Sequence, residues 1–459
     1  MKRLLLCIIT CVIVSSCSFA PDYNRPHLEL PEVWVSSPET GVPASMQWWK
    51  RFNDSTLDIL VAEALQHNRD LIAAVARVDY AQAQLGVARS DLFPHFSGNA
   101  QATPVWVDHK RVTDGQSPYS ANFSASWEID IWGKIRNAKD AAFSQLMATE
   151  AEKEGVFLSI AAQTANAYFL LRSLDLQCSI AERTVKTRED ALSIYTAQYQ
   201  KGFINKLDLT RAKTEVETAR TALYQKRIAQ ENAETALSVL LGRSPRLIMD
   251  TAIERGVSMK DLSCIPVIPQ GIPSELLERR PDIRQAEYTL KATSANIGVA
   301  RAAWLPSISL TGLFGIVSPH LSDLLKNPLK TWSYGETGTV PILDFGQVYY
   351  NVEAAQAKER EALANYEKTV QNAFKDIHDA LIRQYESKNI VNSLERMVKE
   401  LRIAVHLART LYDNGYTSYL DVLDAERALF QSELDLASAW SDRLSSIVQV
   451  CLALGGSWE

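Results

Sequence analysis

The stretch ANFSASWEIDI, Ala121 to Ile131, alternates strictly between apolar and polar positions. Ala121, Phe123, Ala125, Trp127, Ile129 and Ile131 share one side, and Asn122, Ser124, Ser126, Glu128 and Asp130 share the other. A period of two with one apolar and one wet face predicts a strand. SISLTGLFGIV, Ser307 to Val317, alternates more weakly and predicts a second, and further strands are expected near Phe96–Val105 and Trp332–Leu343. Ahead of each strand pair lies an Ala-rich amphipathic segment, 55–93 and 274–305, predicted helical up to Pro94 and Pro306. A proline disfavours helical backbone in the residue before it, so the helices should stop there. From Gly133 to Gly202 there is one internal Gly and no Pro, and from Gly346 to Gly415 there is neither. About 68 residues rising 1.5 Å each would form a helix roughly 100 Å long. Tyr366, Val370, Phe374, Ile377 and Leu381 make an apolar stripe that Leu401, Ala404, Leu407 and Leu411 continue. A helix of that length with a narrow stripe needs coiled-coil partners.

The pattern occurs twice. YQKGFINKLDLTRAKT from Tyr199 returns as YDNGYTSYLDVLDAER from Tyr412, about 213 residues later. QLGVARSDLFPHFSG (Gln84) matches NIGVARAAWLPSISL (Asn296), and DIWGKIRNAKDAA (Asp130) matches LDFGQVYYNVEAA (Leu343). LLGRSP near Leu241 echoes LALGGS near Leu454. Blocks in the same order at one offset mark a tandem duplication. Gly202 and Gly415 stand where a left-handed residue ends a helix. Asn205 with Asp208, and Ser418 with Asp421, then read as caps of a returning helix. Each twin is expected to be the tip of a long helical hairpin. The expected division is a signal peptide over 1–16, an extended segment over 17–54, a first repeat over 55–242, a linker over 243–273 and a second repeat over 274–459.

The N-terminus adds a destination. Met1-Lys2-Arg3 is a positive n-region, and Leu4–Val14 is apolar but too short to span a bilayer. It ends in VSSC, where small residues precede Cys17 as in a lipobox, so Cys17 is the expected lipidation site; ordinary cleavage near Ser16 is the alternative. Ser18, rather than Asp, sorts such a chain to the outer membrane. Cys178, Cys264 and Cys451 remain in the exported chain, an odd set in which no disulfide framework is legible.

Composition removes other classes. With 46% hydrophobic residues but only 19 Gly and 17 Pro, helix is favoured over sheet. A net charge of −6 without a basic tract excludes nucleic acid as a partner. The seven His have no metal-ligand spacing, and no nucleophile elbow, P-loop or dinucleotide fingerprint is present, so no enzyme, metal or cofactor is expected. Four strands with an apolar face cannot close a barrel, and lipid does not tolerate an open edge, so copies must associate. Wet strand faces inside such a barrel imply a water-filled pore.

CSFAPDYNRP (Cys17–Pro26), WWKRFNDSTLDILVAEALQHNRDL (Trp48–Leu71), ERRPDIRQAE (Glu278–Glu287), GVARAAWLP (Gly298–Pro306) and YLDVLDAER (Tyr419–Arg427) resemble the outer membrane factor family of TolC-like exit ducts, within it the OprM/NodT-type lipoproteins. The resemblance implies a mainly α fold with a small β part. The tandem repeat of helix, two strands and long helical hairpin would form a trimeric β-barrel, four strands per chain, continuing into a long periplasmic α-barrel. It also implies an outer-membrane location, with a periplasmic adaptor and an inner-membrane pump of the resistance-nodulation-division type as partners. The implied function is passage of small toxic compounds to the outside. A type I protein-secretion duct and a structural coiled-coil lipoprotein are the alternatives.

By position in the family, Leu420 would be an apolar plug of a periplasmic gate, Asp424 a ring of carboxylates and Arg427 its partner one turn on. Leu207, Arg211 and Thr214 occupy the matching places of the first half, where Arg211 replaces the acid. Gly202, Phe203, Gly415 and Tyr416 are the expected adaptor contacts. The bland alternative is an exposed Asp424–Arg427 pair on a helix surface. Trp106, Tyr119, Trp127, Trp132, Trp332 and Tyr334 could form interfacial girdles or simply pack.

Overall fold

The computed structural model describes residues 18–26, 47–103, 105–107, 110–112, 119–250, 252–262 and 276–456. Cys17 and Cys264 lie outside the described residues, as does the side chain of Trp106. In chain order the main helices are α1 (Ser55–His67), α2 (Arg69–Ser90), α3 (Lys134–Gln200), α4 (Lys206–Leu240), α5 (Pro245–Asp250), α6 (Leu276–Arg279), α7 (Pro281–Ala302), α8 (Gln347–Asp413) and α9 (Tyr419–Ala453). The strands are β1 (His95–Ala102), β2 (Val105–Val107), β3 (Lys110–Val112), β4 (Tyr119–Ile129), β5 (Ser307–Ser318) and β6 (Leu329–Thr339). The two longest helices each hold 67 residues, and the helix after each holds 35. Among the described residues no helix is long and apolar enough to cross a membrane.

The chain divides into two compact units. The first comprises residues 1–28, 76–151 and 284–369. Its centre is an antiparallel sheet in the order β1-β4-β5-β6. Register carries the alternation of β4 into its neighbours at the middle of the sheet, with Leu313 and Val317 as apolar exceptions on the wet face and Lys330 and Glu336 as charged exceptions on the apolar one. Gly98, Phe123, Phe314 and Trp332 lie in one row, flanked by Phe96, Ala125, Gly312 and Tyr334. Directly opposed residues share a face, so these rows make one apolar band, and Phe96, Phe123, Phe314, Trp332 and Tyr334 are exposed on it. The opposite face collects Ser97, Ser124 and Ser333, with Ser126, Thr311, Glu128, Ser309 and Thr337 beside them. Ser97 and Ser124 share a hydrogen bond of 2.7 Å across the strands. The short β2–β3 hairpin between β1 and β4 was not expected from the pattern.

The aromatics that could form a girdle or simply pack divide between the two. Trp127 Nε1 donates to the Leu92 carbonyl and Trp132 Nε1 to that of Pro306, which ties both to backbone. Trp332 and Tyr334 instead stack on each other, 6.2 Å between centroids, and stay exposed.

The second unit comprises residues 29–75, 152–283 and 370–459. Its core gathers Trp48, Phe52, Leu57, Val61, Tyr168, Phe169, Leu237 and Leu241. The fully buried Asp54 carboxylate caps α1 through the N–H groups of Thr56 and Leu57 and also accepts from the Tyr168 hydroxyl at 2.7 Å. Arg255 bonds both Asp175 and Glu234, fastening the segment 252–262 to α3 and α4. Cys178 and Cys451 are buried.

Three helix expectations shift. The first helix breaks at Asn68, whose backbone is extended (ψ 132°). Its carboxamide caps α2 at Asp70 and Leu71 and also donates to the Leu240 carbonyl, so a tertiary bond outweighs helical continuity. Second, α2 and α7 end at Ser90 and Ala302, ahead of their prolines. Their last turns tighten into i→i+3 bonds such as Phe93 to Ser90 and Leu305 to Ala302. Third, Pro281 separates α6 from α7 and opens the latter, where a missing N–H is harmless.

Candidate functional site

The two hairpin tips of the second unit are built by the same local rules. Gly202 and Gly415 adopt φ of +78° and +79°, a conformation that costs a residue with a Cβ. Phe203 N–H donates to Gln198, and Tyr416 N–H to Leu411, at 2.9 and 2.8 Å, closing both helix ends alike. The return helices start differently. Asn205 caps α4 at the Asp208 N–H, 2.9 Å away. At α9 the Asp421 carboxylate accepts from both the N–H and the hydroxyl of Ser418. Its pKa is lowered by these bonds, that from Thr417 first. Phe203 and Tyr416, the expected adaptor contacts, are exposed.

Three tyrosines bind the tips to each other. Tyr195 of α3 lies 4.5 Å from Tyr419 of α9 and 6.2 Å from Tyr412 of α8 between ring centroids. Leu209 and Ala212 of α4 join Val422 and Leu423 of α9 in the same cluster. Burial pushes all three phenols above their ordinary pKa. They are neutral wedges at any physiological pH.

One turn further from the tips sits an ionic clasp. The Glu215 side chain is only 4% exposed and meets Arg188 of α3, itself 6% exposed, at 2.8 Å. Arg188 also donates to the Glu215 carbonyl and lies over the Phe430 ring at 5.7 Å. Arg427 of α9 reaches the same carboxylate, its Nε at 2.9 Å. The hydrogen bond to Glu215 raises the pKa of Arg427 further. One buried carboxylate thus joins α3 and α4 to α9, and charge-assisted bonds of this kind are stronger than neutral ones.

The predicted gate residues take these places. Leu207 and Leu420 are exposed side chains of α4 and α9. Asp424 is 63% exposed and touches Arg427 at 3.5 Å, so that pair exists, but the shorter bonds of Arg427 go to Glu215. Arg211 turns to Asp208 in its own helix, at 3.5 Å. Thr214 donates to the Thr210 carbonyl. Sequence reasoning missed Arg188, Glu215 and the tyrosines. A trace was available: Ala181, Arg188 and Tyr195 recur at seven-residue steps, which puts an arginine on a buried stripe, and Glu215 abuts the stripe of Ala212, Val216 and Ala219.

Known proteins resemble this chain over nearly its whole length. The family described as Outer membrane efflux protein matches residues 60–243 and again 272–456. The chain is 32% identical over 452 residues to the cation efflux system protein CusC of Escherichia coli O6:H1, covering 97% of each. It is 32% identical over 468 residues to the probable outer membrane lipoprotein SilC of Salmonella typhimurium, covering 100% of this chain and 99% of that one. The crystal structure of the Campylobacter jejuni CmeC outer membrane channel superposes with a TM-score of 0.88 at 29% identity, covering 96% of each chain.

Proposed function

The chain belongs to the outer membrane efflux protein family, and from that premise we propose that three copies form the exit duct of a tripartite efflux system, gated at the hairpin tips. The observation that carries this reading is the sheet. It has an exposed apolar band on one face and a hydroxyl-rich opposite face, and among the described residues β1 and β6 each have one unpaired edge. Strand directions alternate through β1-β4-β5-β6, so β6 of one copy can add antiparallel to β1 of the next. Three copies give a closed barrel of twelve strands with lipid outside and water inside. A purely structural coiled-coil lipoprotein would have no use for such a sheet.

The duct passes small toxic compounds delivered by an inner-membrane pump, of the resistance-nodulation-division type, through an adaptor. The adaptor meets the exposed Phe203 and Tyr416 beside Gly202 and Gly415. The signal peptide covers 1–16, Cys17 carries the lipid, and 55–242 and 274–459 are the two repeats. Three Asp424 carboxylates with three Leu420 side chains narrow the periplasmic mouth. The Glu215–Arg427 clasp and the tyrosine wedge hold the tips closed, while Leu207 and Arg211 form the less acidic half of the same mouth. Leu420→Ala combined with Asp424→Ala, measured as single-channel conductance in planar bilayers, tests the gate. Conductance should rise and cation preference should fall, because a ring of acids attracts cations. Unchanged conductance and selectivity would reduce both residues to helix surface.

A further inference from the structure

The segment directly after Cys17 lies on the first unit, held by contacts at both of its ends. At one end Ser18 Oγ donates to Asn137 Oδ1 at 3.0 Å, and Arg301 Nη1 donates to the Phe19 carbonyl at 3.3 Å. Ala20 lies against Gly298, where an added Cβ would come within 2.8 Å of the Ala20 Cβ and 2.4 Å of Asn137 Nδ2. A side chain at position 298 would therefore close the slot. At the other end Arg25 donates to Glu287 Oε2 at 2.6 Å and Tyr23 to Oε1 at 3.4 Å. Lys291 closes on Glu287 at 2.9 Å and lies over the Tyr23 ring at 5.0 Å. Burial acts to raise the Glu287 carboxyl, but the bonds from Arg25 and Lys291 hold it below the usual range.

Contacts run in opposite order along the two partners. Residues 19 to 25 meet positions 301 to 287, so the segment lies antiparallel to α7. Fourteen helical residues rise about 21 Å, and six extended residues reach about 20 Å. The two lengths are similar, and the Arg301 and Arg25 side chains bridge what remains at each end. The Ser18 end is also the strand end: Asn137 is in the first turn of α3, which follows β4, and Arg301 is in the last turn of α7, which precedes β5. Asn137 is buried, and among the described residues its Nδ2 has no hydrogen-bond partner, so a donor faces the Ser18 end of the segment.

We propose that Ser18–Arg25 is a measuring strap whose seat on α7 couples the acylated N-terminus to the strands, so that the lipid assists barrel assembly only while the strap is docked. This rests on the reading that Cys17 carries a lipid. One peptide bond, about 3.8 Å from Cα to Cα, separates that residue from the pinned Ser18. A docked strap holds the acyl chains beside the strand ends; a loose one lets them wander over the reach of a flexible chain.

The test uses full-length protein in outer membranes and three changes: Glu287→Arg, its swap with Arg25→Glu, and Cys17→Ala. Docking is read as chymotryptic cleavage after Phe19 or Tyr23, and assembly as the fraction of chain recovered as trimer. Glu287→Arg should speed cleavage about tenfold or more, as loss of a charge-assisted clasp implies, and the swap should restore protection. Glu287→Arg should lower trimer recovery by the same factor as Cys17→Ala, and the two together should be no worse than either. Gly298→Val should mimic Glu287→Arg from the other end of the seat. Unchanged cleavage in Glu287→Arg, or losses that multiply in the double variant, would overturn the coupling. Wild-type protein without acyl mass would instead remove the lipid reading beneath it.

Discussion

Arg427→Ala separates a gate lock from ordinary packing. In this structure the guanidinium bridges α9 to Glu215 of α4, and it is 52% exposed. Half-exposed charge-assisted bonds are worth about 1 kcal/mol each. If the clasp breaks when the tips part, three copies contribute about 3 kcal/mol to closure. That is a change on the order of 10²-fold in the closed-to-open ratio. Long-lived large-conductance openings should therefore become frequent in planar bilayers, with little change in the melting temperature. Glu215→Ala is the contrasting perturbation, because it also strands Arg188, whose side chain is 6% exposed. Removing one partner of a buried pair costs about 3–5 kcal/mol. This variant should therefore both open the channel and lower the melting temperature, and Glu215→Gln should fall between. A double-mutant cycle on conductance isolates the pair. Arg427→Ala with wild-type gating, or with a melting temperature lowered as far as in Glu215→Ala, would refute the lock.

Leu207→Ala should raise conductance less than Leu420→Ala, because Arg211 stands where the second half has Asp424; equal effects would remove the asymmetry. Intact mass of the mature protein should show a chain starting at Cys17 with added acyl mass, and Cys17→Ala should abolish the addition. Cross-linking in detergent should trap trimers, and a stable monomer with its strands intact would contradict barrel closure between copies. Acid should loosen the segment 252–262. The bond from Arg255 holds Glu234 below its usual value of 4.5, so its stabilisation is present above that pH and is lost as pH falls below it. Hydrogen exchange at Ile253–Leu262 should accelerate below about pH 4.5, and Glu234→Gln should remove that dependence.

What could be read from the sequence was whatever a short window of backbone decides. The period-two alternation of β4, the uninterrupted 67 residues of α3 and α8, and the glycines at 202 and 415 each follow from rules acting within a few residues. Such rules hold whatever the rest of the chain does. Partners that come from distant packing were not readable. Glu215 finds Arg188 27 positions away and Arg427 212 positions away, and only the packing of one hairpin on the other decides that it serves both. The break at Asn68 has the same origin, since the bond that favours it reaches Leu240, 172 residues on. The seat of residues 18–25 on α7 depends on a missing side chain at Gly298 and on the charge of Glu287, more than 260 positions from Arg25. Periodicity shows that a face is apolar or wet. It does not name the charge opposite a given carboxylate, because that charge is delivered by the tertiary fold.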